Sequence, residues 1–325
     1  MKNVKIAARE TLVKNLVLLE GHTRAGKFLL GNIMDGFKKL EHFQYVSLLE
    51  QVPFLARLGF IREDAVVSLL QICVDEAVYN MRVGRNLNWR FDDASSLLCS
   101  FDRKRYERRS RSPIDPNVVN TVRKDRRFSS FVAHEVMPDI KLFFKAFPSI
   151  KVISLLRHPV DLVHSWYVRG WGEREISDPL YFQPYLAVSG KKIPWFAYRW
   201  NSEYLTLPRM DRVIRSIESV AKLSQKSYST LSAAQKRQIL IVTFEGLTQE
   251  PRPVIAKIEA FLKTKKESYM QKILKRERCP RGPLAPERDK KLQNIKKTAS
   301  KKAFNILLEL ANDYETKSET GTWVQ

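Results

Sequence analysis

Along the chain, short continuous apolar runs alternate with stretches whose apolar residues recur every three or four positions. The runs are Leu16–Glu20, Lys151–Leu156 (KVISLL) and Gln238–Phe244 (QILIVTF), with Phe128–Ala133 as a further strand candidate. Apolar on both faces, they predict buried strands of a parallel sheet. Helical spacing follows in Lys27–Leu40, where Phe28, Leu29, Ile33, Met34 and Phe37 form one stripe, and across residues 53–80. The same period predicts helices over 138–147, from 159 to about 168, and over 195–207, 210–223, 253–262 and 304–314. Residues 170–195, punctuated by Gly170, Gly172, Pro179, Pro184, Gly190 and Pro194, predict a long irregular stretch. This alternation predicts an α/β fold: three α/β/α layers around a central parallel sheet. Sites in such sheets lie at the carboxyl ends of strands.

Two strand ends carry chemistry. The first strand runs into Gly21-His22-Thr23-Arg24-Ala25-Gly26-Lys27, which fits the phosphate-loop spacing G-x-x-x-x-G-K. The next residue is Phe28, not the Ser or Thr that ligates Mg²⁺ in nucleoside triphosphatases, which argues against metal-assisted cleavage of ATP. The loop still suits an anion, because backbone N–H groups, a helix start and the cations of Arg24 and Lys27 converge there. The second strand, Lys151–Leu156, leads into Arg157-His158-Pro159-Val160-Asp161 and on to Ser165-Trp166. Pro159 and Asp161 suit the first turn of a helix. Arg157 offers a forked guanidinium and Ser165 a hydroxyl to a phosphate; the plain alternative is an Arg157–Asp161 ion pair.

Composition narrows the partners without choosing one. The 325 residues carry a formal charge of +22, which favours anionic partners: nucleotide, nucleic acid, acidic glycan or membrane surface. Basic residues concentrate in 102–127, predicted as a surface loop or broken helix, and in 263–302. Three widely spaced cysteines, Cys73, Cys99 and Cys279, form no C-x-x-C pair and predict reduced thiols in the cytoplasm. No run is long and apolar enough for a transmembrane helix, and the start of the chain shows no secretory pattern. None of the five histidines has metal-ligand spacing, so no metal is expected.

Taken in order, L-V-L-L-E-G-H-T-R-A-G-K-F, then K-V-I-S-L-L-R-H-P-V-D-L-V-H-S-W, then I-L-I-V-T-F-E-G-L-T-Q-E-P resemble the sulfotransferases that use 3′-phosphoadenosine 5′-phosphosulfate (PAPS) and release 3′,5′-adenosine bisphosphate (PAP). The resemblance spans most of the chain and implies a single P-loop-like sulfotransferase domain over 1–325. It would carry a helical, basic insertion near 50–127 and a basic C-terminal region over 263–325. It implies that residues 22–28 (His22, Thr23, Arg24, Ala25, Gly26, Lys27, Phe28) hold the 5′-phosphosulfate. Arg157 and Ser165 would hold the 3′-phosphate, with a fainter match at Arg281-Gly282. Arg24 and Lys27 would stabilise the leaving oxygens, and either His134 or Glu135, in H-E-V-M-P, would be the base. Trp166, Trp171, Trp195, Tyr198 and Trp200 are candidates for an adenine slot. The acceptor would be a hydroxyl, on a carbohydrate or other small molecule. The excess positive charge makes an acidic glycan or lipid headgroup the expected acceptor.

Two other readings compete. A P-loop kinase would need a Mg²⁺-binding carboxylate at a strand end, and only Glu245 is placed for it. A nucleic-acid-binding protein would fit the charge, but no zinc finger, helix-turn-helix or aromatic-basic motif supports it.

Overall fold

The structure, a computed structural model, describes residues 4–7 and 9–321. The reading of the chain start as lacking a secretory pattern falls partly on residues 1–3 and 8, outside the described ones.

The strands are β1 (Leu16–Glu20), β2 (Gln44–Tyr45), β3 (Ser129–Val132), β4 (Lys151–Leu156), β5 (Leu186–Val188), β6 (Lys191–Ile193) and β7 (Ile239–Thr243). Five of them form the main sheet in the order β2-β3-β1-β4-β7, all parallel. β1 lies at its centre, with Leu18 paired to Phe131 on one side and Val152 on the other.

Both faces of the sheet are covered, which explains the unbroken apolar runs. Leu18, Phe131 and Val152 pack with the helices Glu63–Val83 and Ile140–Ala146. Val17, Leu19, Ile153 and Leu155 pack on the other face with the helices Lys27–Met34 and Pro251–Leu262. This is the expected three-layer α/β/α arrangement. A further core joins the helices Pro159–Tyr167, Arg209–Ser229 and Lys301–Thr320 through Val163, Trp166, Ile214 and Leu307.

Several elements differ from the sequence expectation. The first helix stops at Met34, and Phe37 and Leu40 are buried beyond its end. The helical pattern over 53–80 divides into Leu48–Arg57 and Glu63–Val83, with Gly59 at φ +82° between them. The stretch 170–195 holds the β5–β6 hairpin. The basic segment 102–127 forms two helices, Arg103–Arg111 and Val118–Lys124. It is not wholly a solvated face: Arg109 makes a bidentate pair with buried Glu41, at 2.9 and 3.0 Å.

The C-terminal basic region folds into the helices Met270–Arg276, Ala285–Thr298 and Lys301–Thr320. The last two are docked on the helix Pro159–Tyr167. Arg288 and Lys291 reach Asp161 at 3.2 and 2.6 Å, and Glu315 meets His158 at 2.9 Å. Among the described residues no helix is long and apolar enough to cross a membrane. The thiols of Cys73, Cys99 and Cys279 are free.

Candidate active site

The turn after β1 is shaped by what its neighbours leave room for. Gly21 has φ +145°, and a Cβ on it would collide with the Leu155 carbonyl oxygen of β4. Gly26 has φ +104°, and a Cβ there would sit 2.6 Å from the Phe244 ring. Both positions therefore need glycine. Arg24 takes a left-handed conformation at φ 71°, and the Ala25 N–H donates to the His22 carbonyl at 3.0 Å. The helix Lys27–Met34 then starts with its first N–H groups free of intrahelical acceptors, pointing back into the turn.

The two loop cations do different things. Lys27 is 2% exposed and donates to the carbonyls of Gly21 and His22 at 2.7 and 2.6 Å. It braces the inside of the loop, and burial pulls its pKa down to about 8. Arg24 is exposed and turns the other way, its Nε 3.4 Å from the Ser165 hydroxyl. Phe28 packs on Phe43 and Tyr45 at 5.4 and 6.0 Å. Thr23 is held from both sides: its carbonyl accepts from the Trp166 indole at 2.8 Å, and its N–H donates to Glu135.

The structure brings the second strand end to the first. Arg157 donates from Nη1 to the Arg24 carbonyl at 2.7 Å, so the two segments, more than a hundred residues apart in sequence, share one edge. The Arg157 and Arg281 guanidinium groups both lie over the Phe244 ring, at 4.4 and 5.4 Å. Arg24, Ser165, Arg157 and Arg281 thus form one cationic cluster, with Gly282 exposed beside it. The alternative Arg157–Asp161 ion pair is not the arrangement found, because Arg288 and Lys291 occupy the Asp161 carboxylate.

The cluster has donors to spare. Nε of Arg157 and Nε of Arg281 are buried with no hydrogen-bond partner among the described residues. Burial, with the neighbouring Arg281 and Arg288 cations, pushes the Arg157 pKa down. Two unmet, partly desolvated guanidinium donors are costly unless an anion completes them. The cluster therefore fits a phosphate.

On the inner side of the loop the charge reverses. Glu135 has φ 50°, and its N–H donates to the Gly21 carbonyl at 3.1 Å, which turns its carboxylate to Thr23. The Thr23 hydroxyl adds a second hydrogen bond at 3.2 Å. Burial raises the Glu135 pKa, and raises that of Glu20 to about 7. His22, beside them, is held near pKa 4 by burial and by the Lys27 charge, so it is neutral at pH 7.

His134 belongs to a separate network. Its N–H donates to Glu50 Oε1 at 2.7 Å, its Nδ1 pairs with the same oxygen, and Tyr45 donates to Glu50 Oε2 at 3.2 Å. Glu50 was not legible in the sequence, since it sits in an ordinary helix with no motif around it. Phe244 was likewise legible only as the last residue of a strand.

The adenine expectation needs correction at three positions. Trp195 and Trp200 are core residues, 4% and 7% exposed, and Trp195 stacks on Phe54 at 5.4 Å. Trp166, 2% exposed, anchors the loop through its indole N–H. Glu245, the one carboxylate placed for Mg²⁺ in the kinase reading, is engaged by Tyr314, Arg288 and the His158 N–H. Among the described residues no three His, Cys, Asp or Glu side chains cluster as metal ligands.

A family model described as a sulfotransferase domain matches residues 17–280. No curated protein sequence matches. Among solved structures, the sulfotransferase domain from the curacin biosynthetic pathway is similar at 14% identity. That match covers 83% of this chain and 81% of the other, with a TM-score of 0.44. The sulfotransferase domain of the Synechococcus PCC 7002 olefin synthase matches at 14% identity over 96% of this chain and 98% of the other, with a TM-score of 0.48. Mouse sulfotransferase SULT7A1, solved in complex with PAP, matches at 13% identity over 81% and 64%, with a TM-score of 0.34.

Proposed function

The chain belongs to the sulfotransferase domain family, and from that premise we propose that it transfers a sulfuryl group from PAPS to an acceptor hydroxyl. One observation carries the reading. Arg157 is hydrogen-bonded to the carbonyl of Arg24, and its Nε has no partner of its own. A loop suited to the 5′ end of an adenosine bisphosphate and a cluster suited to its 3′ end therefore sit side by side.

Bound there, PAPS supplies a sulfuryl group whose bond to the 5′-phosphate breaks as the acceptor oxygen bonds to sulfur. The leaving electron pair stays on the phosphate. The residues of this chain do the rest. The helix start and Arg24 face the charge that develops on the leaving oxygens, which is where preorganised donors lower a barrier most. Lys27 acts at one remove, fixing the carbonyls of Gly21 and His22 and so the curvature of the loop. Arg157, Ser165 and Arg281 hold the 3′-phosphate.

We assign the base to Glu135. Its carboxylate touches the loop at Thr23, and burial raises its pKa toward the working pH, which improves a general base. His134 is committed at Nδ1 to Glu50 and positions the turn that carries Glu135. The free thiols support a reducing, cytoplasmic setting.

The test is incubation with PAPS and a mixed pool of hydroxyl acceptors, without divalent metal, followed by quantification of PAP. Release of PAP coupled to a sulfated product is the expected result. Tight binding of Mg²⁺-ATP with no affinity for PAP would sink the reading.

A further inference from the structure

A cavity of about 350 Å³ opens at the inner side of the phosphate loop, where Gly21, His22 and Glu135 line it, and it also touches Arg157 of the cationic cluster. Its inner end is polar: Glu20, His22, Glu135 and Ser154. Its body is apolar, with Leu156 and Ile241 from the sheet, Ile217 and Val220 from the helix Arg209–Ser229, and Ile306 and Leu310 from the helix Lys301–Thr320. The outer wall is thus supplied by residues beyond 280, where the family match ends.

We propose that this cavity is the acceptor chamber, that the C-terminal helix Lys301–Thr320 builds its outer wall, and that it takes an uncharged hydrophobic alcohol or phenol. The inference rests on the sulfotransfer reading and names the substrate class for it. Three observations carry it. The chamber reaches the reacting region: Gly21, His22 and Glu135 line its inner end, so a hydroxyl there meets the assigned base. An apolar body of this size fits a small hydrophobic molecule, whose transfer from water contributes about 25 cal/mol per Å² of apolar surface buried.

The charges inside oppose an anionic acceptor. Two of the three lining cations are already paired, Lys222 with Glu218 and Lys317 with Asp313. The third, Arg157, is assigned here to the nucleotide, and with it so committed Glu20 and Glu135 at the inner end have no further lining cation to offset an incoming carboxylate or sulfate. The acidic acceptor suggested by the net charge is therefore not the one this chamber selects.

The test uses the full chain and three measurements: PAP affinity by calorimetry, and Michaelis constants for naphthol and for a glucuronate-containing tetrasaccharide in PAPS-driven turnover. Ala221→Trp fills the chamber from the helix Arg209–Ser229, and Leu310→Trp fills it from the opposite wall. The second variant guards against misfolding in the first, and melting curves identify a variant that has lost its fold. The expected result is turnover of naphthol with little or none of the tetrasaccharide, a Michaelis constant for naphthol raised at least tenfold in a folded variant, and a PAP dissociation constant within twofold of wild type.

Preference for the tetrasaccharide would overturn the chamber assignment. So would an unchanged naphthol constant in both folded variants, or a PAP affinity that falls in parallel with naphthol. Each of these leaves PAP binding by wild type intact. Absence of PAP binding by wild type is the separate outcome that would defeat sulfotransfer itself.

Discussion

The cationic outer edge of the site and the acidic inner side of the phosphate loop lie only a few residues apart, yet they are built by opposite means. At the outer edge, Arg24, Ser165, Arg157 and Arg281 converge with donors unmet. At the inner side, Glu20 and Glu135 are buried, their pKa values raised, and Lys27 is spent on carbonyls. One edge waits for negative charge, and at the other burial disfavours even the protein's own. In the proposed reading the contrast separates the two substrates of a group transfer: nucleotide on the cationic side, neutral acceptor on the other.

Four experiments would break or sharpen this division. The largest effect belongs to Glu135→Gln. With the base removed, kcat should fall by roughly 10²- to 10⁴-fold while PAP affinity changes little. His134→Ala, by contrast, should cost less than about tenfold. Equal losses would return the role to the histidine, and steady-state rates with PAP titrations decide between them.

Next comes Arg157→Ala. It removes a charged donor and the tie to the Arg24 carbonyl, so the PAP dissociation constant should rise by about a hundredfold, or about 2.7 kcal/mol. An unchanged constant by calorimetry would show that the cationic edge does not hold the nucleotide.

Third is a pH effect at the inner side. The pKa of Glu20 is raised from 4.5 to about 7 in the folded protein. The folded state therefore favours the protonated carboxyl. That contribution is full below pH 4.5 and is lost as pH rises through 7. Glu20→Gln keeps the neutral form throughout, so its stability relative to wild type should increase between about pH 5 and 8, by up to about 3 kcal/mol. Urea unfolding at the two pH values measures it, and a pH-independent difference would mean that Glu20 stays ionised. The smallest effect is Arg281→Ala, about tenfold in PAP affinity, because Arg281 shares the Phe244 face with the stronger Arg157.

What could be read in the sequence follows the range of the forces involved. The strand Lys151–Leu156 is found as expected, and so is the glycine-spaced turn, because unbroken apolar runs and glycine spacing are local signals. β2, with two residues, is too short to show a period, and the β5–β6 hairpin lies in a stretch dominated by Gly and Pro. The Trp195 and Trp200 rings have the composition of a ligand slot and the burial of a core, which spacing cannot distinguish. Glu50 meets His134 across 84 positions, and the chamber wall comes from residues 306–317, far from every motif. The convergence of Arg24 and Arg157 was legible because backbone turns and strand ends make it. The cavity proposed for the acceptor was not, since packing between distant helices makes it.

The missing side chain at position 21 has a further consequence. β1 delivers Arg24 and β4 delivers Arg157, and the two strands touch where Gly21 faces the Leu155 carbonyl. A methyl group at that point would act as a wedge, prising the strands apart at the place from which both arginines depart. The span between the two arginines is thus gauged by a single hydrogen atom.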